Sequence, residues 1–178
     1  MIYVFLAKGF EEIEAITPVD IMRRAGLSVK TVGVTGDRVS GSHGIEITAD
    51  IGLDDVDMSK AELVFLPGGM PGTTNLMENK KVEECILYAA ENNIPIAAIC
   101  AAPMILGELN LLNGKNAVCF PGFEEHLKGA VISDSGVVAD GKIITAKGAG
   151  AAHKLGFKLV EILKNKETAD ELFSSMQY

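Results

Sequence analysis

Apolar positions along the chain fall into two kinds of pattern, short unbroken runs and longer stretches at helical spacing. Residues 2–7 form an apolar run that predicts a central strand. Lys8-Gly9-Phe10 turns it into a helix with Ile13, Ile16, Val19, Ile21 and Met22 on its inner side, and Gly26 ends that helix after Arg23-Arg24. Residues 29–34 predict the second strand, and the four glycines and weak alternation of residues 33–50 predict a hairpin. Residues 63–66 form the next strand, closed by Pro67-Gly68-Gly69-Met70-Pro71-Gly72, and residues 75–92 carry a helical pattern through Val82, Cys85, Ile86 and Ala89. Residues 94–99 read as a strand buried on both faces that stops at Cys100, after which Met104, Leu106, Leu109 and Leu112 recur at helical spacing.

Further on, residues 117–120 predict a short strand stopped by Pro121-Gly122. Residues 131–146 read as paired short strands, with Asp140-Gly141 as the tight turn. Residues 148–152 open a helix through Leu155, Leu159, Ile162 and Leu163, and residues 168–176 add a last helical segment. Strands alternating with helices in this way, without repeat or linker, predict one α/β domain over residues 1–178. Its sheet is mainly parallel and doubly wound, with helices on both faces. In such sheets, sites lie beyond the carboxyl ends of the strands. Loops 8–14, 67–73 and 100–103 are therefore expected to share one cleft.

Bulk composition narrows the partners. A net charge of −8 argues against nucleic acid and anionic membrane surfaces. No apolar run is long enough to span a bilayer, and acidic residues rather than a cleavage site follow the first strand. Cys85, Cys100 and Cys119 are an odd number without CxxC spacing, which suggests free thiols in a reduced, cytoplasmic setting. His43, His126 and His153 are scattered, so no metal site is expected.

Cys100 sits where a strand turns sharply into a helix, the geometry of a nucleophile elbow with sulfur for oxygen. A helix N-terminus favours negative charge, so its thiol is expected below the free value of about 8.5. Gly68-Gly69 ends a neighbouring strand. Two glycines there let backbone N–H groups face the cleft as an oxyanion pocket, together with that of Ala101, or simply make a tight turn of positive φ. Glu11 and Glu12 suit the first turn of a helix. Glu14, one turn on, can face Cys100; a carboxyl buried there takes up a proton and can donate it to a thiolate. Cys119 is either a second thiol near Cys100 or a small strand-end residue. Cys85 follows the core pattern, and His43 and His153 have no evident partner.

The stretches Ala7-Lys8-Gly9-Phe10-Glu11-Glu12-Ile13-Glu14, Leu66-Pro67-Gly68-Gly69 and Ala97-Ala98-Ile99-Cys100-Ala101-Ala102-Pro103 resemble the ThiJ/PfpI superfamily of class I glutamine amidotransferase-like proteins. So does Thr145-Ala146-Lys147-Gly148-Ala149-Gly150 near the last long helix. Within that superfamily the similarity is to the branch of the parkinsonism-associated protein deglycase. The resemblance implies a flavodoxin-like homodimer without cofactor, with Cys100 as nucleophile, Glu14 as its carboxyl partner, and Gly68, Gly69 and Ala101 lining an anion pocket. It implies glyoxalase or deglycase activity on a small aldehyde, a glycated protein or a glycated nucleotide. The alternative it carries is an oxidative-stress sensor or redox-regulated chaperone whose cysteine becomes a sulfinic acid. Two departures stand out. Ala101 occupies the place of the His that follows the nucleophile in peptidase-like relatives, which excludes a peptidase. Phe120 replaces a His found in some members, leaving His126 as the nearest imidazole in sequence.

Overall fold

A computed structural model of the chain covers residues 1–178. Its centre is a seven-stranded sheet in the order β10-β11-β7-β6-β1-β2-β5. The strands are β1 (Ile2–Leu6), β2 (Val29–Gly33), β5 (Ile51–Gly52), β6 (Leu63–Leu66), β7 (Ile96–Ile99), β10 (Val137–Asp140) and β11 (Ile143–Ala146). All pairings in it are parallel except β10 with β11, whose hairpin turns at Gly141 with φ +62°. Two small ribbons lie outside it. One is the antiparallel pair β3 (Arg38–Ser40) and β4 (Glu46–Thr48); the other is the parallel pair β8 (Asn116–Ala117) and β9 (Val131–Ile132).

Helices cover both faces because alternate strand residues are apolar on both. Ile2, Val4 and Leu6 pack with α1 (Glu12–Arg24), α5 (Ala152–Leu163) and α6 (Lys166–Ser175). Tyr3, Phe5 and Ala7 point the other way and pack with α3 (Lys80–Glu91) and α4 (Pro103–Glu108). The α1–α5 contact is close: a Cβ on Gly156 would lie 2.7 Å from Ile21 Cδ1 and 3.2 Å from Pro18 Cα. No helix is long and apolar enough to cross a membrane.

The structure corrects several boundaries. The single helix expected over residues 75–92 is two, α2 (Gly72–Met77) and α3, because Asn79 caps a new start: its Oδ1 accepts from the N–H groups of Lys81 and Val82 at 3.0 and 3.2 Å. The helix after Cys100 is only six residues long, so Leu109 and Leu112 lie beyond it, although Leu112 is still buried. Residues 117–120 are not one strand; β8 ends at Ala117 and irregular chain follows. Ile13 is 50% exposed rather than inward, since the inner arc of α1 is taken by Glu14, Ala15, Pro18, Val19, Ile21 and Met22.

Candidate functional site

Three loops converge beyond the carboxyl ends of β1, β6 and β7. The Glu11 N–H donates to Gly68 O at 2.9 Å, and the Gly72 N–H to Gly9 O at 3.2 Å. Gly69, with φ +90°, packs against the first loop so closely that a Cβ would lie 2.6 Å from Gly9 O. Such contact is possible only for glycine.

Cys100 stands at the end of β7 with φ +64°, a left-handed conformation that costs a non-glycine residue about 1–3 kcal/mol. Flanking hydrogen bonds hold it there. The Cys100 N–H donates to Ala146 O at 2.9 Å, and Cys100 O accepts from the Phe120 N–H at 2.8 Å. The turn brings the Ala101 and Gly69 N–H groups to the sulfur.

Glu14 reaches the same point from α1 and is 1% exposed. Its Oε2 accepts from the Gly68 N–H at 3.1 Å, and the Ala149 N–H and the Cys100 thiol lie close enough to favour the ionised carboxyl. Gly68 lies between the two side chains. A Cβ on it would overlap Glu14 Oε2 and lie 2.5 Å from Cys100 Cβ. Gly68, Gly69 and Ala101 thus do cluster around Cys100, but the Gly68 N–H serves Glu14 rather than an oxyanion.

Burial and electrostatics set the protons. Burial pushes the Glu14 carboxyl up to about 7, helped by the nearby Glu11 charge and opposed by the hydrogen bonds from Cys100, Gly68 and Ala149. The Cys100 thiol moves opposite to the expectation from its helix: burial, then the charge of Glu14 and its hydrogen bond, push it up to about 12 against the Ala101 and Gly69 N–H groups. The short α4 begins three residues later, too small and too distant to compensate. Protonation of Glu14 removes the opposing charge and turns the carboxyl into a donor toward sulfur. The two groups therefore titrate as a pair.

Other candidates fall elsewhere. His126 approaches Glu108 Oε1 at 3.4 Å on the surface, where Lys128 also binds Glu108. His153 stacks on Tyr178 with ring centroids 4.8 Å apart. His43 has partners after all: its Nδ1 lies 3.3 and 3.2 Å from carboxylate oxygens of Glu11 and Glu12, and its N–H donates to Glu12 Oε1 at 2.9 Å. Against the expectation of no metal-ligating cluster, the fold gathers one ligand atom each of Glu11, Glu12 and His43 within 4.8 Å. Cys85 is in the core, as its spacing predicts. Cys119 is 3% exposed, and burial pushes its thiol up to about 11.

Phe120 stands at this cleft, where the resemblance puts a His in some members, whereas Gly148 and Ala149 were not singled out by sequence as parts of it. A Cβ on Gly148 would lie 3.9 Å from Glu14 Oε1 and 3.2 Å from the Phe120 ring. The signal was present in the glycine run directly after β11, the parallel neighbour of β7.

The profile of the DJ-1/PfpI family matches residues 1–162. Among curated proteins, the chain is 35% identical over 172 residues to Protein dj-1beta of Drosophila melanogaster, covering 95% of this chain and 92% of that one. It is 34% identical over 174 residues to the Parkinson disease protein 7 homolog of Danio rerio, with coverage of 95% and 92%. Among solved structures, oxidized Toxoplasma gondii DJ-1 superposes with a TM-score of 0.94 at 31% identity, over 99% of this chain and 97% of that one.

Proposed function

The chain belongs to the DJ-1/PfpI family, and from that premise we propose that it is a cofactor-free, cysteine-dependent glyoxalase or deglycase acting on 2-oxoaldehydes or their adducts. The observation that carries this reading is the packing of Glu14 and Cys100 about Gly68, with one titrating proton between them near neutral pH. In the reactive form that proton is on Glu14, and Cys100 is a thiolate facing the Ala101 and Gly69 N–H groups.

The thiolate bonds to the aldehyde carbon of the substrate, and the carbonyl oxygen takes a proton from Glu14 to give a hemithioacetal. The Glu14 carboxylate then removes the proton on that carbon and returns it to the adjacent carbon, while the hemithioacetal hydroxyl passes its proton to the ketone oxygen, so that the former becomes the thioester carbonyl and the latter a hydroxyl. Water cleaves the resulting thioester, its hydroxyl going to the acyl carbon and its proton to Glu14, which releases the 2-hydroxy acid and restores the thiolate beside a protonated Glu14. Methylglyoxal plus water gives lactate, with no net oxidation. The reading includes a homodimer, in which α1 and the β3–β4 ribbon offer contact surfaces; Ile13 and Ile45 are exposed there.

The test is lactate formation from methylglyoxal by wild type, Cys100→Ser and Glu14→Gln. Loss in both variants supports the assignment, whereas full turnover by Cys100→Ser overturns it. The alternative, a redox sensor, draws on the same N–H groups and the same Glu14 proton, which suit a sulfinate on Cys100. No lactate from freshly reduced wild type, with Cys100 converted to sulfinic acid by mild peroxide, would favour the sensor.

A further inference from the structure

An open groove of about 480 Å³ adjoins the Cys100–Glu14 pair. Phe120 and Pro121 form one wall; the backbone of residues 147–151 forms the other, with Gly136 alongside. It meets the reacting pair at two points already described, the Phe120 N–H bonded to Cys100 O and Gly148 beside Glu14 Oε1. The Phe120 ring is 47% exposed, and Lys147 is the one ionisable side chain on the lining.

One edge of the Phe120 ring rests against Gly148, where a Cβ would lie 3.2 Å from Cδ2. The rest of the ring is open to the groove beside glycine and alanine backbone, so a planar group can lie against that exposed part with Lys147 as the one long side chain nearby. Water on these surfaces finds few bonding partners, and its displacement by apolar surface is favourable. A methyl group is too small to cover the ring.

We infer that this groove is a subsite for the substituent on the ketone carbon of the 2-oxoaldehyde, that it selects a planar apolar substituent, and that Phe120 determines this specificity. The inference rests on the reading of Cys100 and Glu14 given above. With the aldehyde carbon bonded to Sγ, the ketone carbon is one bond further out, and on this inference its substituent lies along the groove that Phe120 borders. The chemistry is unchanged: phenylglyoxal plus water gives mandelate, the proton moving from the aldehyde carbon to its neighbour.

The test has two parts. The ratio of kcat/KM for phenylglyoxal over methylglyoxal is expected to fall about tenfold in Phe120→Ala, from roughly 55 Å² of additional apolar cover by one ring face, and to be restored in Phe120→Tyr, which keeps the ring. Separately, the two product acids are titrated into Cys100→Ser, which has no turnover on this reading, and followed by backbone amide shifts. Mandelate is expected to bind about tenfold more tightly than lactate, shifting the amides of Phe120, Gly148 and Gly150, and Phe120→Ala in that background is expected to remove the preference. Equal affinities, a preference that survives Phe120→Ala, or no binding of either acid would overturn the subsite. Preferential mandelate binding together with wild type that turns over neither aldehyde would leave the subsite standing and overturn the enzymatic reading instead.

Discussion

Replacing Glu14 by Gln should make the protein more stable in mild alkali. Glu14 is 1% exposed and its carboxyl is lifted from 4.5 to about 7. At 1.36 kcal/mol per pKa unit that rise is worth about 3 kcal/mol. The sign follows from proton binding. Between pH 4.5 and about 7 the folded chain holds a proton on Glu14 that the unfolded chain has lost, so stability declines as pH rises through this window. Below pH 4.5 the contribution is fully present; above about 7 it is gone. Glutamine keeps an acceptor for the Gly68 N–H and has no proton to lose. Urea unfolding of wild type and Glu14→Gln at pH 4.5 and pH 8 should therefore give similar stabilities at the lower pH and a variant about 3 kcal/mol more stable at the higher. For a chain of this size that corresponds to a Tm higher by roughly 6–12 °C. Groups such as Glu12 and Asp50 are common to both proteins and cancel in the difference. Parallel pH dependences for the two would refute the buried, proton-holding Glu14.

Other outcomes follow from the same geometry. Gly68→Ala drives a Cβ into Glu14 Oε2 and Cys100 Cβ; it should cost about 3 kcal/mol in denaturant unfolding and abolish the alkylation of Cys100 expected of wild type. Asn79→Ala removes the cap that separates α3 from α2 and should cost about 1 kcal/mol, read as a Tm lower by roughly 2–4 °C. Burial alone would raise the Glu12 carboxyl, but the N–H groups of Glu12 itself, His43 and Ile45 together hold it below 4.5. Its contribution to stability is present above pH 4.5 and is lost as pH falls through the lower folded value, so Glu12→Gln should flatten the acid limb of the stability curve and loosen the 41–45 loop in hydrogen exchange.

Much of this architecture is legible in the sequence, because strands buried on both faces read as unbroken apolar runs. The β1, β6 and β7 runs announce the parallel sheet, and the parallel sheet places their following loops in one cleft. Glu14 is legible for the same reason, as the polar residue that helical spacing turns toward Cys100. What spacing could not supply was the consequence of burial for the Cys100 thiol. The turn at Cys100 suggests a thiol eased by a helix, yet the helix is six residues long and the thiol faces a carboxyl, so burial and charge dominate. The Gly68 N–H likewise points at Glu14 because the two loops lie within hydrogen-bond reach, a fact of packing between residues far apart in sequence. Gly148 enters the cleft through β11, whose place beside β7 depends on sheet order and not on any local motif, and Phe120, after β8, is held there by its N–H on Cys100 O. The His43 pairing with Glu11 and Glu12 is tertiary in the same sense.

The central claim, that the Cys100–Glu14 pair gives up one of its two protons near neutral pH and shares the other, is tested most directly by the pH dependence of Cys100 alkylation. The rate with iodoacetamide, followed by mass mapping of the Cys100 peptide, should rise in wild type with a midpoint at about pH 7, where the pair loses its first proton and the form with thiolate on Cys100 and the remaining proton on Glu14 becomes available. In Glu14→Gln the thiol must ionise alone in a buried site, so its midpoint should move above about 8.5. Superimposable profiles for the two proteins would contradict the shared proton.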